Sequence, residues 1–276
     1  MMGSLKAGKL ALAGLFASAV LVWSRDTAWV ASVADTLPLA AGIPLAVWLG
    51  APWQIIPFDH RPQLPALWPV LAGLLFLVGW NLPSVTMLSL AWTALAGYGM
   101  MRWWKSSTDP VGLLLVLLFS FPWMVLEWPQ IGWWFRLSAA VSTEGFFQLL
   151  QMPVQRNGTE LLILGEMIRI EPACAGWNLL QLTLLAGITI ALHDLSKRGR
   201  FLWFLLLLPF LAWMANFLRI VILSALCLSF GVMTAEGIWH GLTGLLVICA
   251  VIAMAKMLCF FIEPKSRIVI QHIKKS

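Results

Sequence analysis

The stretch Phe201–Phe230 reads FLWFLLLLPFLAWMANFLRIVILSALCLSF and carries a single charge, Arg219. Roughly 20 consecutive apolar residues cross the hydrocarbon of a bilayer as a helix. This run exceeds that length, so it reads as a membrane-spanning helix rather than the core of a soluble domain. The whole chain agrees: of its 276 residues 61% are hydrophobic and 11% charged, and the mean hydropathy is +0.87. A soluble domain of this size carries about twice that charged fraction to cover its surface. The sequence therefore predicts an all-α polytopic membrane protein.

Working outward from that run, about eight spans are expected, near 8–24, 34–53, 65–82, 84–104, 110–127, 174–193, 200–229 and 240–262. The first follows Lys6 and Lys9 like a signal peptide, but no convincing cleavage site comes after it, so it reads as a mature helix. Pro38, Pro44 and Pro52 punctuate the second, which leaves open whether 34–53 crosses fully or is tilted, kinked or re-entrant. With both termini in the cytoplasm, Lys6, Lys9, Arg61, Arg102, Lys105, Lys197, Arg198, Arg200, Lys265, Arg267, Lys274 and Lys275 fall inside. Arg25, Arg136, Arg156 and Arg169 then fall outside. That bias follows the positive-inside rule. It explains the net charge of +6 by insertion, and removes nucleic acid as an expected partner. The orientation is that of a multi-pass protein of the plasma (cytoplasmic or inner) membrane.

One membrane domain, 1–276, is the simplest organisation, with 128–172 as an extracytoplasmic cap segment and 263–276 as a cytoplasmic basic tail. The cap opens with Trp128, Trp133 and Trp134, suited to a membrane interface. Residues 131–151 are expected to form an interfacial amphipathic helix. Two short runs, Thr159–Leu164 and Met167–Ile170, flank the turn-prone pair Gly165–Glu166 and predict a β-hairpin.

After Pro172 comes Cys174, in Ala173-Cys174-Ala175-Gly176-Trp177-Asn178, at the expected mouth of a helix. Amide dipoles there favour a thiolate. Cys174, Asn178 and Gln181 share one helix face by spacing; Asn178 and Gln181 serve equally as helix-to-helix hydrogen-bonding groups. Arg219 needs a partner or a wet cavity inside its apolar run. Glu171, Asn216 or a backbone carbonyl would satisfy it structurally, while the functional alternative is stabilisation of a thiolate and an oxyanion. At 1.5 Å per residue it lies roughly 16 Å below the outer end of its helix. Asn216 shares its side and can orient it. His240 opens the last span among Gly237, Gly241 and Gly244, either as an interfacial histidine or as an acid/base group. His60, His193 and His272 fall on the cytoplasmic side. The four cysteines, Cys174, Cys227, Cys249 and Cys259, show no metal-ligand spacing and no disulfide framework. No nucleotide fingerprint is present, and no cofactor is expected.

Ala173-Cys174-Ala175-Gly176, then Asn216 with Arg219, then His240 with Gly244 resemble, in order, three motifs of the exosortase/archaeosortase transpeptidases. The motif-bearing likeness covers about residues 145–250. It implies Cys174 as nucleophile, Arg219 as oxyanion and thiolate stabiliser and His240 as acid/base, supported by Asn178, Asn216 and Gly176. Ala175 departs from the serine common in that family and removes a hydroxyl beside the thiol. The resemblance implies partners that are secreted proteins with a C-terminal motif, a transmembrane helix and a basic tail. Their sorting signal would be cleaved through a thioester acyl-enzyme and passed to an acyl acceptor, such as a lipid- or glycan-linked amine. Two alternatives stand beside this reading: an intramembrane cysteine protease releasing its product to water, and a transporter or assembly scaffold with Arg219 as an anion site.

Overall fold

The computed structural model describes residues 33–170, 177–231 and 238–263, with short helical pieces at 13–14, 17–20 and 22. The first expected span, 8–24, therefore lies mostly outside the described residues. The described chain is mainly helical, as expected, and separates into two compact units, Met1–Glu127 and Trp128–Ser276.

In the first unit, α1 (Val33–Leu49) runs through Pro38 and Pro44 without a break. Leu39, Ile43 and Ala46 form its buried stripe. It packs on α4 (Pro110–Ser120) where Gly42 meets Ser120, so closely that a β-carbon at 42 has no room. Helices α2 (Leu67–Asn81) and α3 (Val85–Trp103) make an antiparallel hairpin whose close approach is Gly79 against Met87 and Leu88. Ser84 caps α3 by accepting from the Met87 amide at 3.2 Å. Strands β1 (Gln54–Ile55) and β2 (Trp104–Lys105) pair antiparallel.

The span expected at 110–127 is not one helix. It stops at Ser120 and restarts as α5 (Trp123–Glu127). Phe121 precedes Pro122 and is extended, at φ −87 and ψ 140. A proline's ring disfavours the helical conformation of the residue before it, which ends α4 there. The restart has a use: the Glu127 carboxylate accepts from the Ser84 hydroxyl and from the Val85 and Thr86 amides, neutralising the amino end of α3.

In the second unit, α6 (Pro129–Leu149) realises the expected amphipathic helix, with proline in its first turn. It leads into a three-stranded antiparallel sheet, β3 (Val154–Asn157), β4 (Glu160–Ile163) and β5 (Glu166–Arg169), in that order. The hairpin β4–β5 was expected, with its turn one position away from where it lies. The turning residues are Leu164 and Gly165, at φ 53 and 89. Two successive positive φ values match the twist of a two-residue hairpin turn. Strand β3 was not expected. Its exposure alternates, but its polar sequence offers no apolar run, and it is fixed from outside by the Arg156–Glu144 ion pair to α6 at 2.7 Å.

Three further helices complete this unit: α7 (Trp177–Asp194), α8 (Arg198–Phe230) and α9 (Ile238–Ile262). Among the described residues, the helices long and apolar enough to cross a membrane are Arg198–Phe230 and Gly241–Ile262; Thr36–Leu49, Leu67–Asn81 and Pro110–Ser120 are apolar but shorter. Leu206, Phe210, Leu245, Leu246 and Phe261 are exposed on α8 and α9. A belt of that kind is disfavoured in water and natural in lipid. At the opposite end from the sheet, Ser196 and Arg200 of the α7–α8 turn region hold Glu263, just past α9. The Glu263 carboxylate accepts from the Ser196 amide at 2.9 Å and from its hydroxyl, and pairs with Arg200 at 3.5 Å. Lys256 pairs with Asp194 beside it.

Candidate functional site

Helix α8 has 33 residues, about 50 Å at 1.5 Å per residue, against roughly 30 Å of hydrocarbon. Its surplus is sheathed by protein. Ile220, Leu223 and Cys227 pack into one buried cluster with Ala139, Ala140 and Phe147 of α6 and with Leu161, Ile163 and Ile168 of the sheet. Arg219 stands immediately before this sheathed third, about 28 Å along the helix from Arg200. It is half-buried, at the base of the cap.

The register of the three last helices follows from their close approaches. Gly187 of α7 faces Leu208 of α8, and a β-carbon at 187 would collide with it. Nearer the start of α7, Leu179 packs with Ala215 and with Val247 and Val251 of α9. The helices α7 and α8 are antiparallel, so the first turn of α7, with Asn178, lies at the level just above Ala215. That is the level of Arg219. On the third helix, a β-carbon built at Gly244 would lie 3.5 Å from Nη2 and 3.8 Å from Cζ of Arg219. The guanidinium therefore rests against α9 at Gly244, where glycine leaves it space.

Position 240 precedes 244 by one helical turn, so the two share a helix face about 6 Å apart. His240 lies in the first turn of α9, and its side chain lies outside the described residues, as do Cys174, Ala175 and Gly176. Arg219, Gly244 and the start of α7 are brought together; the thiol and imidazole expected beside them are not described.

Asn216 is fully buried. Neither its amide nitrogen nor its amide oxygen has a hydrogen-bond partner among the described residues. Leaving such a group unsatisfied costs on the order of 1–3 kcal/mol, and it sits one turn before Arg219. Asn178 is half-buried and Gln181 almost wholly buried, in keeping with a polar stripe that faces protein. Sequence reasoning missed two buried hydroxyls, Thr183 and Ser224, whose oxygens also lack partners among the described residues. Their residue types give no signal, because Ser and Thr are common in apolar helices, where they usually bond back to the preceding turn, as Thr243 does to Trp239.

A polar amide and a permanent cation at the inner edge of an ordered cap form an arrangement able to hold a developing negative charge away from bulk water. Comparison with known proteins returns no match among curated proteins or solved structures. A family model described as transmembrane exosortase (Exosortase_EpsH) matches residues 7–257. With nearly the whole of the chain covered, from before the first expected span into the last helix, this protein belongs to the transmembrane exosortase family.

Proposed function

We propose that this exosortase is a cysteine transpeptidase whose nucleophile is Cys174, whose oxyanion and thiolate stabiliser is Arg219 and whose acid/base is His240, working at the extracytoplasmic face of the plasma membrane. The family is one of membrane cysteine proteases and transpeptidases that process sorting signals. The observation that carries the assignment of residues is the Arg219 guanidinium against Gly244, one turn from His240 and level with the start of α7. Chain connectivity supports the third partner: Cys174 precedes Trp177 by three residues, a reach of about 11 Å at most.

In this reading the substrate is a secreted protein with a C-terminal motif, a transmembrane helix and a basic tail. The Cys174 thiolate, its proton taken by His240, attacks a peptide carbonyl beside that helix. Arg219 and helix-start amides hold the tetrahedral oxyanion. His240 returns its proton to the leaving amine, the C–N bond breaks and the membrane tail departs, leaving a thioester on Cys174. An incoming nucleophile, such as a lipid- or glycan-linked amine, then attacks the thioester and regenerates the thiol. Asn216 and Asn178 orient the guanidinium and the substrate backbone, and Gly176 keeps the approach to the thiol open. Ala175 offers no hydroxyl to the oxyanion, which leaves that task to Arg219 and the amides. Both termini lie in the cytoplasm, about eight helices span the membrane, and 128–172 forms the extracytoplasmic cap.

The test is processing of a tagged substrate in cells carrying Cys174→Ala, Arg219→Gln or His240→Ala. Each is expected to leave the precursor uncleaved. Normal processing in Cys174→Ala would refute the assignment. A cleaved product that never gains acceptor mass would convert the transpeptidase into a hydrolase.

A further inference from the structure

The cap contains a cation that the reaction does not use. Arg136 lies on the inward stripe of α6 with Gly132, Ala139, Ala140 and Thr143, all buried. Its Nε is shut away from solvent, and its guanidinium makes no hydrogen bond or ion pair with any described residue. The other cap arginines differ. Arg156 is held by Glu144 at 2.7 Å and Arg169 by Glu160 at 2.8 Å. The positive charge of Arg136 is permanent, and in a partly apolar site its penalty is relieved by a counter-anion. No described residue supplies that counter-anion.

The surroundings say which anion. Trp133 and Trp134, just before Arg136, are exposed at 41% and 63%, as indoles are where headgroups meet hydrocarbon. Helix α6 also leans on α8. The Trp213 indole donates to the Ser138 hydroxyl at 3.0 Å, and Phe146 meets Phe217 edge-on. Trp213 and Phe217 precede Arg219 in α8, on the side away from the sheathed third. Arg136 thus lies on the helix that packs on the apolar stretch of α8 before Arg219. A guanidinium presents a planar fork of donors that matches two phosphate oxygens.

We propose that Arg136 binds a phosphate, that of an anionic phospholipid headgroup in the outer leaflet, and so anchors the cap helix to the membrane. This rests on membership of a membrane family and on the proposed extracytoplasmic placement of the cap, and not on the roles of Cys174 or His240.

The test uses the full-length protein in mixed micelles. Adding phosphatidylglycerol, and not phosphatidylcholine, is expected to raise its unfolding temperature. Native mass spectrometry is expected to show phosphatidylglycerol retained about tenfold less by Arg136→Gln, the effect of losing one charge-assisted pair. Arg156→Gln and Arg169→Gln are expected to keep the lipid. Arg136→Lys, which keeps charge but loses the fork, is expected to fall between. A photoactivatable phosphatidylglycerol on the wild-type protein is expected to label the segment around Trp133–Arg136, which tests the proposal even if the variants fold poorly. Equal retention by wild type and Arg136→Gln, or labelling elsewhere only, overturns it. Stabilisation by millimolar inorganic phosphate equal to that by the lipid overturns the headgroup as source. Loss of substrate binding in Arg136→Gln with lipid retention intact overturns it in favour of a peptide carboxylate.

Discussion

Gly244 offers the sharpest perturbation of the site, because the structure states how much room it leaves. A β-carbon there would stand 3.5 Å from Nη2 and 3.8 Å from Cζ of Arg219, which is ordinary contact. Gly244→Ala therefore fits without moving the guanidinium. It also removes a helix-interior glycine, worth roughly 0.5–1 kcal/mol of stability. Gly244→Val adds branch carbons about 1.5 Å beyond the β-carbon, and valine in a helix has one strongly preferred rotamer and little freedom to turn them aside. A branch on the Arg219 side cannot coexist with the guanidinium where it lies, and Arg219 must shift by an ångström or more. Misplacement on that scale costs about a hundredfold in rate. The assay is a pulse–chase of substrate cleavage with thermal unfolding measured in parallel. Alanine is expected to process normally with unfolding unchanged or slightly later, and valine to process about a hundredfold more slowly while remaining folded. Wild-type processing by the valine variant would refute the role of the Arg219–Gly244 approach. Loss in both variants equally would mean that glycine is needed at 244 for some other reason.

Asn216→Leu removes a buried amide with no described partner, so unfolding is expected to be unchanged or later, by up to about 2 kcal/mol, while processing falls; a stable, fully active leucine variant would show that the amide has no task. Burial raises the pKa of the Glu263 carboxyl, but hydrogen bonds from the Ser196 hydroxyl and amide and the Arg200 charge outweigh it, and the net shift is below the usual 4.5. A depressed folded pKa means that this contribution is complete above about pH 4.5 and fades as pH falls through the lower folded value. Glu263→Gln is expected to unfold earlier than wild type at pH 7, with the gap narrowing on acidification below 4.5; a gap independent of pH would contradict the linkage. At the β4–β5 turn, Gly165→Ala is expected to destabilise the cap by about 1 kcal/mol, because φ is 89 there; hydrogen exchange of Leu162 and Ile168 reads this, and unchanged protection would argue against the positive-φ turn.

The helices were legible because hydropathy is a local property: the apolar runs expected at 34–53, 65–82, 84–104, 174–193, 200–229 and 240–262 each contain a helix near those bounds among the described residues. The break at Phe121–Pro122 escaped that reading, since the residues on both sides are apolar and hydropathy does not register a proline's steric demand. Strand β3 escaped because its sequence, Val154-Gln155-Arg156-Asn157, is polar and is held by groups outside itself, Glu144 of the preceding helix and the neighbouring strand β4. The turn at Leu164–Gly165 was misplaced by one position because leucine seldom takes a positive φ. Arg219 was legible as a charge needing a partner, and Asn216 as its neighbour. What no spacing reveals is the meeting of Arg219 with Gly244, which depends on how α8 and α9 are set against each other. The tie of Glu263 to Ser196 is likewise a tertiary fact, between groups far apart in sequence. Arg136 looked like any other outside charge, and only the pairing of its neighbours set it apart.

The central claim is that Cys174 carries the acyl group. Purified enzyme mixed with a tagged substrate and quenched in acid, then digested and examined by mass spectrometry, tests it directly. The account predicts a substrate-derived mass on the peptide containing Cys174, removed by hydroxylamine as a thioester is, and absent from Cys174→Ala. The same adduct on Cys227, Cys249 or Cys259, or substrate turnover by Cys174→Ala, would contradict it.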